Sequence, residues 1–347
     1  MGQYPTRLLS TPKNGILLAM SKEFRQTVWD DRVADAWASV LRLAIDEDLG
    51  VSGDCTTMAL VGEDVQGRAD IVARQPGVVA GLPGVEMALD LVDSRLRSVK
   101  GDSPIFAETR IGTVPRLRWS PKAEDGQPVE QGLCVGVIEG PAGGLLAVER
   151  ILLNLLGRLS GIATLTRQYV DLVAHTSAHI YDTRKTTPGW RRLEKYAVRC
   201  GGGRNHRGGL DEAVLIKDNH LALGAQSLDR AKRFSPAEAV VRARRFAEQR
   251  GDPGMVIEVE VDTLEQLDAV LPARPDIVLL DNMSPAQLRE AVARRNAFDP
   301  AIELEASGGV NLATVRAIAE SGVDRISVGA LTHSAVALDF GLDWAAD

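Results

Sequence analysis

"DIVLLDNMSPAQLREAVARRNAFDPAIELEAS" occupies residues 276–307. Two short apolar runs, 276–281 and 302–307, bracket helical text. The first run ends in Asp281-Asn282, the second in Ser307 followed by Gly308 and Gly309. Strand, helix and strand in this order make a βαβ unit, whose two strands are parallel. The rhythm continues on both sides of the stretch. "HIYD" (179–182), "AVLIK" (213–217), "MVIEVEV" (255–261) and "RISVG" (325–329) are further runs of the same kind, and most are separated by helical text such as "NLATVRAIAESG". Six such strands across residues 179–329 predict an α/β barrel rather than a sandwich.

The first half reads as mixed α and β. "VADAWASVLRLAIDEDLG" spaces its apolar residues helically, with Gly50 as a stop signal. "RADIVARQPGVVAG" alternates and then breaks at Pro-Gly, as a strand and turn would. Strand-like pieces follow up to "CVGVIEG", and the charged "SPKAEDGQP" reads as a surface loop. Residues 145–174 read as a long helix, with a break expected at Ser160-Gly161. Leu152, Leu155, Leu156 and Leu159 form its apolar stripe, while Arg150, Asn154 and Arg158 share a polar face. Arg158 is expected to be solvated; spacing alone does not decide what Arg150 does. Residues 1–29 read as a flexible extension.

Composition excludes several classes. The 347-residue chain carries a formal net charge of -7 with 45% hydrophobic residues. That balance disfavours a general nucleic-acid or membrane-surface binder. The three cysteines, Cys55, Cys134 and Cys200, are widely spaced and form no CxxC pair, so neither a zinc site nor a disulfide framework is indicated. "GILLAM" is too short for a signal-peptide core, and no apolar run approaches the roughly 20 residues of a membrane span. These features lead us to expect a cytoplasmic protein.

In an α/β barrel the C-terminal ends of the strands converge on one mouth, the usual seat of catalysis. Here those ends carry Asp182, Arg184 and Lys185; Lys217 and Asp218; Glu258 and Glu260; Asp281-Asn282; Ser307-Gly308-Gly309; and Gly329. Residues 182–220 hold nine cations against five acids in an otherwise acidic protein. Arg191, Arg192 and Arg199 are expected to solvate the helix "WRRLEKYAVR", where Glu194 can pair with a neighbour. Arg184, Lys185, Arg207 and Lys217 flank strand ends or glycines. An arginine fork suits a carboxylate or phosphate, and a lysine offers a compact charge. His206, in a glycine-flanked loop beside Arg207, is read as a ligand contact. Gly201-Gly202-Gly203 should end the helix and let a ligand approach closely. Neither a Walker nor a Rossmann fingerprint occurs here, but "ASGG" (306–309) and "SVGALTH" (327–333) are candidate phosphate cradles. Glu258 and Glu260 lie on one strand face. Carboxylates beside phosphate cradles point to Mg²⁺. Glu258 is read as balancing charge in the barrel, a reading that suits Glu260 less well, and Asp281 ends the next strand.

Taken together, these residues resemble the quinolinate phosphoribosyltransferases. The matching text includes "EDLGVSGDCTT", "GVVAGLPG", "VERILLNLLGRLSGIAT", "DTRKTTPG", "KYAVRCGGGRNHRGGLDEAVLIKDNH", "IEVEVD", "LLDNMSP", "EASGGVNL" and "GVDRISVGALTHSAVALDFGL", in order over roughly residues 35–343. The resemblance implies an N-terminal α/β sandwich domain (30–147) packed on an incomplete, TIM-like α/β barrel (148–333), with residues 334–347 returning to the first domain. It implies transfer of phosphoribosyl from phosphoribosyl pyrophosphate to quinolinate with decarboxylation, in NAD biosynthesis, with Mg²⁺ as cofactor. It also implies a homodimer. Quinolinate would meet Arg184, His206, Arg207 and Lys217, with Arg150 reaching in from the partner subunit. The donor and Mg²⁺ would meet Lys185, Glu260 and Asp281, the catalytic set, and the 5′-phosphate Ser307, Gly308, Gly309, Gly329 and His333. Trp190-Arg191 after "TTPG", the N-terminal extension and extra text near 96–112 depart from the family pattern.

Overall fold

In a computed structural model of the chain, residues 22–101, 116–226 and 234–344 are described. The first helix, α1 (Asp31–Leu49), begins where the Asp30 carboxylate accepts the Val33 N–H and ends at Gly50. Its apolar face, with Trp37, Leu41 and Ile45 buried, packs on later helices. A short helix α2 (Cys55–Leu60) follows, none of its residues buried. Then come β1 (Gln66–Ala73), β2 (Gly77–Val78), α3 (Val85–Gly101), β3 (Arg118–Pro121), β4 (Pro128–Val129) and β5 (Cys134–Pro141). β2 and β4 pair as a small ribbon. β1 pairs antiparallel with β5, and β5 with β3.

α4 (Ala142–Val173) is one continuous helix, without the break expected at Ser160-Gly161. Both residues serve packing instead. The Ser160 hydroxyl accepts the buried Ala80 N–H at 3.0 Å. A Cβ on Gly161 would collide with Val336 O, and Gly157 O accepts the Leu338 N–H at 2.9 Å. The glycines therefore let residues 336–338 lie directly on the helix. The expected domain boundary at 147/148 falls inside α4, which packs against elements of both domains.

The remaining elements alternate: β6 (His179–Tyr181), α5 (Arg191–Cys200), β7 (Val214–Ile216), α6 (Asp218–Gln226), α7 (Pro236–Gln249), β8 (Ile257–Val261), α8 (Leu264–Val270), β9 (Ile277–Asp281), α9 (Pro285–Phe298), β10 (Glu303–Ser307), α10 (Val315–Ala319), β11 (Arg325–Ser327) and α11 (Ala330–His333). All six expected strands form one parallel sheet in the order β6-β11-β10-β9-β8-β7. Its two edges, β6 and β7, do not pair with each other, so the barrel is incomplete. A single parallel bridge from Tyr181 to Arg204 begins to fill the gap. The last strand, β12 (Phe340–Trp344), leaves the barrel and pairs antiparallel with β1, completing the four-stranded sheet β12-β1-β5-β3.

Residues 22–29 fall within the extension read as flexible, yet they are seated on the barrel. Phe24, 6% exposed, plugs the floor beside Ala213, Val256 and Ile277, at the N-terminal ends of three strands. Its ring lies 4.4 Å from the His206 ring and 5.2 Å from the Arg325 guanidinium. Tyr181 donates its hydroxyl proton to Glu23 at 2.7 Å, and the Asn205 amide oxygen accepts the Thr27 N–H at 2.7 Å. One aromatic side chain in a polar segment carries too little signal for a sequence reading to seat it. Residues 1–21 of that extension, and most of the extra text near 96–112, lie outside the described residues. No helix among the described residues is long and apolar enough to cross a membrane.

Candidate active site

Strand register assembles the mouth. Tyr181 lies beside Ser327, Ser307 beside Asp281, and Glu260 beside Leu279. Asp281, two residues beyond Leu279, therefore shares the Glu260 face. Asp182, Arg184, Lys185, Lys217, Glu260, Asp281, Ser307, Gly308, Gly309 and Gly329 all follow or end strands at this one rim.

The opening of the basic segment is anchored below the rim. Asp182 is fully buried and pairs with Lys195, itself 3% exposed. The same carboxylate accepts the Asn205 side-chain amide at 2.6 Å and the His206 N–H at 2.8 Å, while Lys195 donates to His206 O at 2.8 Å. These bonds fix residues 204–207 alongside β6. Both groups show the strain of burial. Desolvation raises the Asp182 pKa and lowers that of Lys195, each opposed by its partner's charge.

Arg207 is buried and donates to Ala213 O at 3.0 Å. Burial, and then the neighbouring Arg184 charge, hold its guanidinium below its ordinary value. The Nε atoms of Arg184 and Arg207 are both buried without a hydrogen-bond partner. Two adjacent guanidinium groups with unpartnered Nε donors are suited to an anion. Lys217, more exposed, pairs with Glu260 across the mouth.

The phosphate-side loops are shaped by glycine. Asn282, at φ 54°, donates its backbone N–H to Ser307 O at 2.9 Å and its amide to Asp281 at 2.7 Å. A Cβ on Gly308, itself at φ 90°, would lie 2.6 Å from Asn282 Cγ. Only glycine leaves that loop its path. A Cβ on Gly329 would lie 2.9 Å from Lys185 Cδ and 3.2 Å from His333 Nε2. Lys185 and His333 thus flank a bare stretch of backbone, and Ser334 Oγ holds His333 Nδ1 at 2.7 Å.

Three expectations change. His206 does not turn its ring to the rim. Its Nδ1 accepts the Arg207 N–H at 2.8 Å, which leaves the ring proton on Nε2, facing Glu258 at 3.0 Å and Glu305 at 3.6 Å inside the barrel. Arg325 closes this cluster, 3.1 Å from Glu305 and stacked 3.8 Å over the Tyr181 ring. Glu258, as read, balances charge there. Secondly, Gly201 and Gly203 face α4 rather than a ligand: a Cβ on Gly201 would lie 2.5 Å from Thr166 Cβ. Thirdly, two arginines assigned to solvated surfaces are fastenings. Arg191 bridges Thr186 Oγ1 (3.0 Å) and Gly208 O (3.1 Å), tying the two ends of the basic segment together. Arg158, 25% exposed, pairs with the fully buried Glu194 at 2.7 Å. The sequence did contain a signal for Glu194: it falls within the apolar arc of α5, three and four residues before Ala197 and Val198. Arg150 is 65% exposed on α4, and its guanidinium lies 4.0 Å from the Glu149 carboxylate.

The fold and rim together define an α/β-barrel protein with a cationic mouth, joined to a domain built on an antiparallel sheet. Comparison with known proteins narrows the class. The profile of the quinolinate phosphoribosyl transferase N-terminal domain matches residues 54–160, and that of the C-terminal domain residues 162–343. The chain is 42% identical over 309 residues to nicotinate-nucleotide pyrophosphorylase [carboxylating] of Mycobacterium leprae, covering 89% of this chain and 97% of that one. It is 38% identical to the probable enzyme of that name from Bacillus subtilis, over 86% and 89% of the two chains. The solved structure of the nicotinate-nucleotide pyrophosphorylase of Francisella tularensis superposes with a TM-score of 0.75 at 32% identity, covering 90% of this chain and 97% of that one. The chain belongs to the quinolinate phosphoribosyl transferase family.

Proposed function

We propose that the protein transfers the phosphoribosyl group of phosphoribosyl pyrophosphate to quinolinate, releasing pyrophosphate and CO₂ and forming nicotinate mononucleotide for NAD biosynthesis. The observation that carries the reading is the pair of adjacent guanidinium groups, Arg184 and Arg207, whose buried Nε donors have no acceptor. With Lys217 they match a planar dicarboxylate. His206 supports this site from beneath, by holding the Arg207 backbone rather than by meeting the ligand with its ring.

On the donor side, Lys185 and His333 flank Gly329, and Gly308-Gly309 offer open backbone. The donor's 5′-phosphate would lie against Ser307, Gly308, Gly309, Gly329 and His333, and its pyrophosphate against Lys185. Glu260 and Asp281, two carboxylates on neighbouring strands, fit Mg²⁺, which takes one or two carboxylates with water and phosphate oxygens completing its shell. When bound there, the ion would neutralise charge on the departing pyrophosphate. The quinolinate nitrogen lone pair forms the new bond to the ribose carbon as the bond to pyrophosphate oxygen breaks. The resulting pyridinium accepts the electrons left when the adjacent carboxylate departs as CO₂, and that ring carbon then takes a proton from solvent. The side chains hold and orient; no protein base is needed to activate an unprotonated ring nitrogen.

The dimer belongs to the same proposal. Val51, Met58, Leu60 and Val65 are exposed around α2, and Leu146 is exposed one turn before Arg150 on α4. This apolar surface, beside an arginine 65% exposed on α4, suits a second copy of the chain that receives Arg150 in its site. A cytoplasmic location suits the substrates. The test is formation of nicotinate mononucleotide from quinolinate, phosphoribosyl pyrophosphate and Mg²⁺. A folded sample that makes no product refutes the proposal.

A further inference from the structure

Behind the mouth a closed ring of polar contacts joins three elements. Arg158 on α4 pairs with Glu194 on α5 at 2.7 Å, and its guanidinium also donates to Thr332 O and, at 3.0 Å, to Ala335 O. Glu194 in turn accepts the Thr187 N–H at 3.1 Å and the Thr187 hydroxyl at 2.9 Å. Thr332 closes the circuit: its hydroxyl donates to Lys185 O at 2.7 Å. The main chain from Lys185 to Thr187 is thus held at one end by Thr332 and at the other by Glu194, and Arg158 ties those two holders together. Glu194 and Thr332 are both 0% exposed. A buried carboxylate balanced by one guanidinium that also spans two carbonyls has one geometry available to it.

The ring's direct bonds to the loop fall on its donor side, at Lys185 O and at Thr187. Lys185 and His333 are the groups that flank Gly329, and His333 follows Thr332 directly. The Arg207 side has separate fastenings: Ala213 O for the guanidinium, and the Asp182–Lys195–Asn205 group for the backbone. We propose that Arg158, Glu194 and Thr332 are positioning residues for the phosphoribosyl pyrophosphate site, setting where Lys185 and His333 meet its anionic groups and acting on the donor more than on the pyridine acid, whose Arg207 is fastened separately. The inference rests on the function proposed above. It separates this trio from residues that merely keep the fold, because a loss of fold weakens both substrates together.

The test compares KM for each substrate, and calorimetric affinity for phosphoribosyl pyrophosphate with Mg²⁺, in the full-length wild type, Glu194→Gln, Thr332→Val and Arg158→Met. Thr332→Val keeps the carbonyl that Arg158 uses and removes the hydroxyl's bonds to Lys185 O (2.7 Å) and, within its own turn, Gly329 O (3.2 Å), so it tests the ring with the least risk to folding. Loss of a hydrogen bond to the loop should raise the donor KM several-fold in Thr332→Val, and loss of the buried ion pair roughly tenfold or more in the other two. The quinolinate KM should stay within about twofold. Arg158→Lys should recover part of the loss seen in Arg158→Met. An active wild type whose folded variants keep the donor KM and affinity, or lose both substrates equally, overturns the positioning role alone. A wild type that neither turns over nor binds the donor overturns the function and this inference together.

Discussion

Replacing Lys195 by Met should be among the most damaging single changes in the barrel. Asp182 is 0% exposed and Lys195 3% exposed, so neither charge is reached by solvent. In the variant the carboxylate keeps the Asn205 amide and the His206 N–H but loses its only cationic partner in that network. Removing one member of a buried pair costs about 3–5 kcal/mol, because the other is left charged and uncompensated. Asp182→Asn should cost a similar amount, since an amide N–H would face other donors. The double variant Asp182→Asn/Lys195→Met leaves no orphaned charge, so it should lose less than the sum of the single changes, with a coupling of about 2–3 kcal/mol. The variant's pH dependence follows from the sign of the shift. Burial already raises the Asp182 pKa above its unfolded value, and removing Lys195 takes away the charge that opposes this. The deficit of Lys195→Met is therefore fully present above the folded pKa and shrinks as pH falls through it. Urea denaturation from pH 4 to 8, with m held as a check on two-state behaviour, measures all three quantities. Additive single losses, or a deficit that does not change with pH, would refute the argument that Asp182 is ionised and held by Lys195.

Phe24→Ala should destabilise the barrel by about 3 kcal/mol, the cost of deleting a buried aromatic ring together with its contacts to His206 and Arg325; a change below 0.5 kcal/mol by the same denaturation assay would show that residues 22–29 are not seated in solution, on the scale expected for surface positions. Mixing inactive Arg150→Ala with inactive Arg184→Ala should restore roughly a quarter of wild-type activity after subunit exchange, since half the dimers are then mixed and each mixed dimer has one intact site. No recovery, with exchange verified, would place Arg150 outside the partner's site.

The barrel was legible because each strand run ends in polar or glycine residues and parallel register carries those ends to one rim, so chain order sufficed to place Asp281 beside Ser307. What failed to read concerns direction and partners. Arg158 lies on a polar stripe of α4, and a helical stripe gives no hint of whether solvent or another helix covers it; here the α5 carboxylate and the α11 carbonyls do. His206 was assigned by proximity to Arg207, but in an extended segment one residue's shift turns a side chain towards the interior, where Glu258 and Glu305 await it. Glycines 201 and 203 looked like ligand cradles because glycine signals close approach without naming what approaches; the approaching surface is α4. Phe24 was invisible for the opposite reason, as a lone ring whose socket is built from three strand starts far along the chain.

Each domain of this protein is finished by a segment from the other end of the sequence. Residues 22–29 close the barrel floor, and β12 is an outer strand of the first domain's sheet. A growing chain therefore carries β1 and β5 for some 200 residues of further synthesis before β12 exists, and for that interval β1 presents an unpaired edge from Ala69 to Ala73. The first domain cannot complete its sheet ahead of the second, although it emerges first. Cutting the chain inside α4 would yield two fragments, one with an open sheet edge and the other with a barrel lacking its floor. The two domains recognisable in the sequence thus complete each other, and Phe340–Trp344 is the last segment of either to be synthesised.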